Sequence, residues 1–140
     1  MRTIGIIGAG SWGTALGITL AKKGHAVRIW DIDADHVHAL RRDRENVRFL
    51  PGIPFPLALT VADTVGDALH EADVALFSVP AQHFRSAFQS AQSELKPEMT
   101  VVNVAKGIEQ KTLKRMSEIA WEIADQIGER RVGKECRSRW

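Results

Sequence analysis

Gly8-Ala9-Gly10-Ser11-Trp12-Gly13 follows the apolar run Thr3-Ile4-Gly5-Ile6-Ile7 and opens a stretch of helical content over 11–23. A Gly-x-Gly-x-x-Gly sextet is weak evidence alone. Between a strand and a helix, inside a strand–helix–strand unit, it has a physical meaning. Gly8 permits a sharp turn. Gly10, lacking a Cβ, lets a diphosphate approach the backbone, and Gly13 lets the helix pack closely on the strands. Unpaired N–H groups and the positive end of the helix dipole then attract the anion. The same motif predicts an acidic residue about 20 positions on, after the second strand. Asp31 stands 23 after Gly8, just past the apolar run 26–30. A carboxylate there accepts both hydroxyls of an adenosine ribose and repels a 2′-phosphate. The alternative is a tight strand–helix turn with an ordinary surface aspartate.

Outward from this unit, strands and helices alternate. Gly24 sits where a left-handed helix stop belongs. Residues 34–44 read as a second helix with Asp33 as its N-cap. Phe49-Leu50-Pro51-Gly52-Ile53-Pro54-Phe55-Pro56 reads as a loop with apolar anchors, because its prolines remove donors and restrict φ. Thr60-Val61 is a weak strand and 64–71 a short helix. Residues 73–79 form the strongest strand signal, stopped by Pro80, and 82–92 is helical with Phe84 and Phe88 four apart. Residues 100–105 form another buried-looking strand. Residues 111–127 form a helix with Leu113, Met116, Ala120, Ile123 and Ile127 on one face, ended by Gly128. This order implies an α/β fold: a doubly wound, mostly parallel sheet with crossover helices on both faces.

Composition agrees. The chain has 140 residues, 44% of them apolar and 26% charged, the profile of an ordinary globular domain. No 18-residue apolar run exists, so no membrane span is expected. Glycines within the first 13 residues argue against a secretion signal. One cysteine, Cys136, forbids an internal disulfide and points to a reducing, cytoplasmic setting. The net charge is +2, but residues 129–140 hold +3 and the body −1. The body therefore has no nucleic-acid footprint.

Other residues have two readings each. Ser11 is a helix N-cap or a phosphate donor, and Trp12 is core or a wall over the ligand. His36 and His38, two apart on a helix, diverge and share no metal, so no metal site is expected. Lys106 follows the last strand at the rim where ligands of such sheets bind. It reaches a phosphate or carbonyl there, or is solvated surface. Pro80 and Ala81 end a strand at the same rim and line the cleft with backbone.

The chain resembles the N-terminal part of bacterial-type NAD(P)-dependent glycerol-3-phosphate dehydrogenase. The matching pieces are the segment from Gly8 through Thr14-Ala15-Leu16, Asn46 with Phe49-Leu50-Pro51-Gly52-Ile53, Val79-Pro80-Ala81-Gln82, and Lys106-Gly107-Ile108-Glu109. The resemblance implies a Rossmann-type dinucleotide-binding domain over residues 1–128. It implies hydride exchange between a nicotinamide and dihydroxyacetone phosphate or glycerol 3-phosphate, a reaction that feeds phospholipid synthesis. It also implies that Ser11, Trp12 and Phe49 contact the dinucleotide and that Lys106 touches both cofactor and substrate.

Two departures stand out. Family members often carry Arg or His just after the second strand, where this chain has Asp31-Ile32-Asp33, which favours NAD(H) over NADP(H). Residues 129–140 are a basic tail matching nothing in the family. A truncation or frameshift is expected there, with the helical substrate domain and its acid–base lysine absent. The chain alone is then expected to bind dinucleotide with little turnover, and its bare sheet edge to support a homo-oligomer. The competing readings are a non-catalytic dinucleotide-binding module and a different Rossmann dehydrogenase acting on another 2-hydroxy compound.

Overall fold

A computed structural model describes residues 1–126. Five parallel strands form one sheet: β1 (Thr3–Ile7), β2 (Ala26–Trp30), β5 (Leu59–Val61), β6 (Val74–Phe77) and β7 (Thr100–Asn103). Their spatial order is β5-β2-β1-β6-β7. β1 lies at the centre and pairs Ile4 with both Val27 and Val74. The chain winds outward from β1 to β5, then crosses back to place β6 and β7 on the other side. Right-handed crossovers enforce this double winding and open a crevice beyond the carboxyl ends of the strands beside β1.

Strand residues alternate between two cores. Ile4, Ile6, Val27, Ile29 and Leu59 pack beneath helices α1 (Ser11–Lys22) and α2 (Ala34–Asp43). Ile7, Phe77 and Val101 face the opposite side, beneath α3 (Val65–Leu69), α4 (Ala81–Ala91) and α5 (Met116–Gln126). There Phe77 meets Phe84 edge-on at 5.7 Å and Phe88 at 5.3 Å between ring centroids. Each fully buried aromatic contributes about 2–3 kcal/mol. Helix α2 begins as its sequence predicts: the Asp33 carboxylate accepts from the His36 N–H, and Arg44 ends the helix in the left-handed region.

Two expectations need correction. Residues 49–56 are not simply a loop. β3 (Glu45–Asn46) and β4 (Leu50–Pro54) form an antiparallel hairpin with a register irregularity. This ribbon stands apart from the main sheet, so its prolines need no donors toward a further strand. The last helix begins at Met116 rather than at 111. Leu113 has a φ of 58° and is 70% exposed, so it lies off the core face. The Glu118 carboxylate accepts from the Arg115 N–H and sets the helix start there. The expected helix end at Ile127 and Gly128, the basic segment 129–140 and Cys136 lie outside the described residues.

Among the described residues β7 is an edge strand, and its Val102 is half-buried. No helix among them is long and apolar enough to cross a membrane.

Candidate functional site

The glycine-rich turn sits at the carboxyl end of β1. The Gly8 N–H donates to the Trp30 carbonyl at 2.8 Å, and the Ser78 N–H donates to the Ile7 carbonyl at 2.8 Å. These bonds bring the end of β2, the turn and the segment leading to Pro80 onto one rim. Gly8 has a φ of +108°, and a Cβ there would lie 2.3 Å from the Ser78 carbonyl oxygen. A Cβ on Gly13 would lie 2.1 Å from the Gly8 carbonyl oxygen. Gly10 is different: a Cβ on it would meet nothing within 4 Å. The protein's own packing does not require glycine at position 10, whereas a ligand drawn close to the backbone does.

The N-terminus of α1 faces the same space. Gly10 occupies the N-cap position with no side-chain cap, so the first-turn donors remain available to an anion. Ser11 is therefore not the N-cap; it is the first helical residue, and it is exposed. Trp12 is 58% exposed, which excludes the core reading.

Ala9 is held from three directions, its N–H by Asp31 and its carbonyl by His36 and Asn46. Asp31 Oδ2 accepts the Ala9 N–H at 2.8 Å, while its Oδ1 accepts the Asp33 N–H at 3.0 Å. Asp31 thus adjoins the turn, as its spacing predicts, and each oxygen keeps a further lone pair. The Ala9 carbonyl accepts from His36 Nε2 at 2.9 Å and from Asn46 Nδ2 at 3.0 Å. A carbonyl only accepts, so His36 carries its hydrogen on Nε2. His36 and His38 diverge as expected, the first buried and the second exposed.

Phe49 lies beside this cluster. Its ring meets His36 edge-on at 5.2 Å, and the Arg48 guanidinium stacks 4.7 Å above it. Arg48 also pairs with Asp33 at 3.2 Å. The His36 N–H holds the Asp33 carboxyl below its ordinary value against the opposing effect of burial, and Arg48 adds to the lowering. Phe49 is 42% exposed and open to a ligand.

Lys106 is exposed, beyond the end of β7 and followed by Gly107 with a φ of +97°. The segment after it is pinned. Gln82 donates to the Ile108 carbonyl at 3.0 Å and accepts from the Gln110 N–H at 2.9 Å. Arg85 grips Glu109 through two bonds of 2.8 and 3.0 Å, and Thr112 bonds the same carboxylate. Arg85, then Thr112, lower the Glu109 carboxyl to about 2 from an ordinary 4.5. Pro80 stands exposed at the N-cap position of α4.

The turn is therefore linked to Asp31 by the Ala9 N–H bond, and to Phe49 by the Asn46 amide, whose oxygen accepts the Phe49 N–H, and by the His36 ring, which bonds the Ala9 carbonyl and packs on the Phe49 ring. Lys106 and Pro80 stand on neighbouring strand ends with no such link. The bonds made by His36, Asn46 and the Arg85–Glu109 pair escape a sequence reading because their partners are 24 to 37 residues away. One signal was available: Asn46 and Glu109 both stand in the pieces that carry the family resemblance.

A family model described as NAD-dependent glycerol-3-phosphate dehydrogenase N-terminus matches residues 3–132. The chain is 41% identical over 122 residues to glycerol-3-phosphate dehydrogenase (NAD(P)+) of Geobacillus thermodenitrificans, covering 87% of this chain and 36% of that protein. It is 43% identical over 119 residues to the enzyme of the same name from Prosthecochloris aestuarii, covering 85% and 36%. The chain thus spans about 36% of the length of these curated relatives. The crystal structure of glycerol-3-phosphate dehydrogenase from Coxiella burnetii superposes with a TM-score of 0.82 at 30% identity, over 86% of this chain and 37% of that one.

Proposed function

The chain belongs to the family of NAD-dependent glycerol-3-phosphate dehydrogenase N-terminal domains, and from that premise we propose that it holds the dinucleotide for hydride exchange between dihydroxyacetone phosphate and glycerol 3-phosphate. One observation carries the reading most: the uncapped start of α1 opens onto space that a side chain on Gly10 would enter. The diphosphate would be held there by the backbone N–H groups of Gly10, Ser11, Trp12 and Gly13, with the Ser11 hydroxyl beside them. Gly8 shapes the turn. Trp12 and Phe49 supply exposed aromatic surface for the rings of the ligand, and Asp31 offers its remaining lone pairs to a ribose. The nicotinamide, when bound, donates or accepts the hydride. Lys106 is assigned to the part of the rim where cofactor and substrate meet, where an ammonium polarises a carbonyl or meets a phosphate, and Pro80 on the neighbouring strand end to the cofactor side of the cleft. The dinucleotide-binding domain is assigned to residues 1–128 and the setting to the cytoplasm, where glycerol 3-phosphate enters phospholipid synthesis.

NAD(H) is the preferred cofactor on this reading, because a 2′-phosphate would be brought against the Asp31 carboxylate. Titration of the chain with NADH and NADPH, followed by intrinsic tryptophan fluorescence, is expected to show NADH binding about tenfold tighter, a difference of about 1.4 kcal/mol. The reverse order would overturn the Asp31 assignment, and no binding of either would overturn the dinucleotide reading. Because the chain spans about a third of its relatives, binding with little oxidation of glycerol 3-phosphate is expected of it alone.

The edge of β7 is assigned as a self-association surface. Among the described residues its outer backbone groups face no further strand, and with half-buried Val102 in the strand and Val104 just after it they form a template for a second strand. Sedimentation of the chain is expected to show concentration-dependent dimers. A monomer at every concentration would refute this.

A further inference from the structure

We propose that Asn46 is a positioning residue that couples the glycine-rich turn to Phe49, so that the two regions grip a dinucleotide as one unit; this rests on the dinucleotide reading above. The Asn46 side chain is fully buried, at 0% exposure. Its two Nδ2 hydrogens go to the Ala9 carbonyl at 3.0 Å and the Thr14 hydroxyl at 2.8 Å. Its Oδ1 accepts the Phe49 N–H at 3.0 Å. One planar amide therefore joins the turn, the first turn of α1 and the hairpin segment that carries Phe49.

The consequence for the turn follows from peptide geometry. The peptide joining Ala9 to Gly10 is planar and trans, so its carbonyl and the Gly10 N–H point in opposite directions. Asn46 and His36 hold that carbonyl inward. The Gly10 N–H is thereby held outward, on the side where a phosphate would approach. If the Asn46 amide rotates, the aim of that N–H and the anchor of Phe49 change together. His36 adds a second bridge between the same two regions, bonding the carbonyl through one ring nitrogen while its ring edge packs on Phe49. An apolar side chain of similar size would fill the volume of Asn46. It would leave the Phe49 N–H without its acceptor and the carbonyl with one donor instead of two.

A double-mutant cycle read by NADH titration tests this. In the unmodified chain, Phe49→Ala is expected to weaken NADH binding about tenfold. In an Asn46→Ala background the same change is expected to weaken it less than about twofold, because the coupling is already lost. Equal factors in the two backgrounds would show a merely structural Asn46 and overturn the proposal. Failure of the unmodified chain to bind NADH would overturn this proposal and the dinucleotide reading together. Should Asn46→Ala fail to fold, amide hydrogen exchange of the unmodified chain with and without saturating ADP decides. The proposal expects exchange at the Phe49 N–H to slow about fivefold or more while the neighbouring Arg48 N–H is unchanged. Equal slowing at both would mean direct cover by ADP, and slowing at neither would mean no coupling. Either result would overturn it.

Discussion

Gly13→Ala is expected to cost the chain much of its stability, and Gly10→Val to cost it only its ligand. The new Cβ at position 13 would lie 2.1 Å from the Gly8 carbonyl oxygen and 3.2 Å from the Ser78 Cβ. The first neighbour is backbone in a segment anchored by the Gly8 N–H on Trp30, so it has little freedom to yield. Overpacking of this kind costs about 1–3 kcal/mol or more. For a domain of this size the melting temperature is expected to fall by about 5–10 °C. At position 10 the backbone has a φ of −75° and a ψ of −169°, which valine adopts freely, and the side chain enters open space. Gly10→Val is therefore expected to melt within about 2 °C of the unmodified chain. NADH affinity should fall about a hundredfold, because the isopropyl group occupies the place of the phosphate. Circular dichroism melts paired with fluorescence titration separate the two effects. A Gly10→Val chain that still bound NADH normally would remove the main support for the site.

Acidification between pH 4.5 and 2 is expected to destabilise the chain through Glu109. Its carboxyl is lowered to about 2 in the fold from an ordinary 4.5, by Arg85 first and Thr112 second. A depressed carboxylate contributes its full stabilisation above the unfolded value. That contribution is lost as pH falls from about 4.5 toward the folded value. Arg85→Met should flatten this part of the stability profile. It should also lower the melting temperature at neutral pH by about 5–10 °C, because a carboxylate 8% exposed would lose its cation. Arg85 also meets Glu122 at 3.2 Å, and Lys114 bonds the same carboxylate, so the substitution loosens the junction of α4, α5 and the segment after Lys106. Thermal melts across pH 2–7 for both chains are the measurement. Parallel profiles would show that Glu109 does not dominate the acid transition.

How much was legible in the residues depended on range. The strand–helix alternation, the glycine turn, the Asp33 cap and the place of Asp31 could all be read directly. Each rests on periodicity or on contacts within one strand–helix–strand unit. The hairpin over 45–54 was hidden because Pro51 and Pro54 resemble loop residues, and the ribbon they form is too short to show alternation. The displaced start of α5 was hidden because residues 111–115 carry helix-compatible side chains. Their course is decided instead by Glu109, whose N–H donates to the Lys114 carbonyl and whose own carbonyl accepts from Leu113.

By its residue order alone, the chain determined a doubly wound parallel sheet with an anion-ready turn at its centre. Hydrophobic period and glycine placement are local properties, and they survive without knowledge of the fold. Only the tertiary structure decided that His36 and Asn46 lock the Ala9 carbonyl and that Arg85 neutralises Glu109. Those are directional bonds across 24 to 37 residues, and no periodic pattern marks a partner that the chain meets only after it has folded.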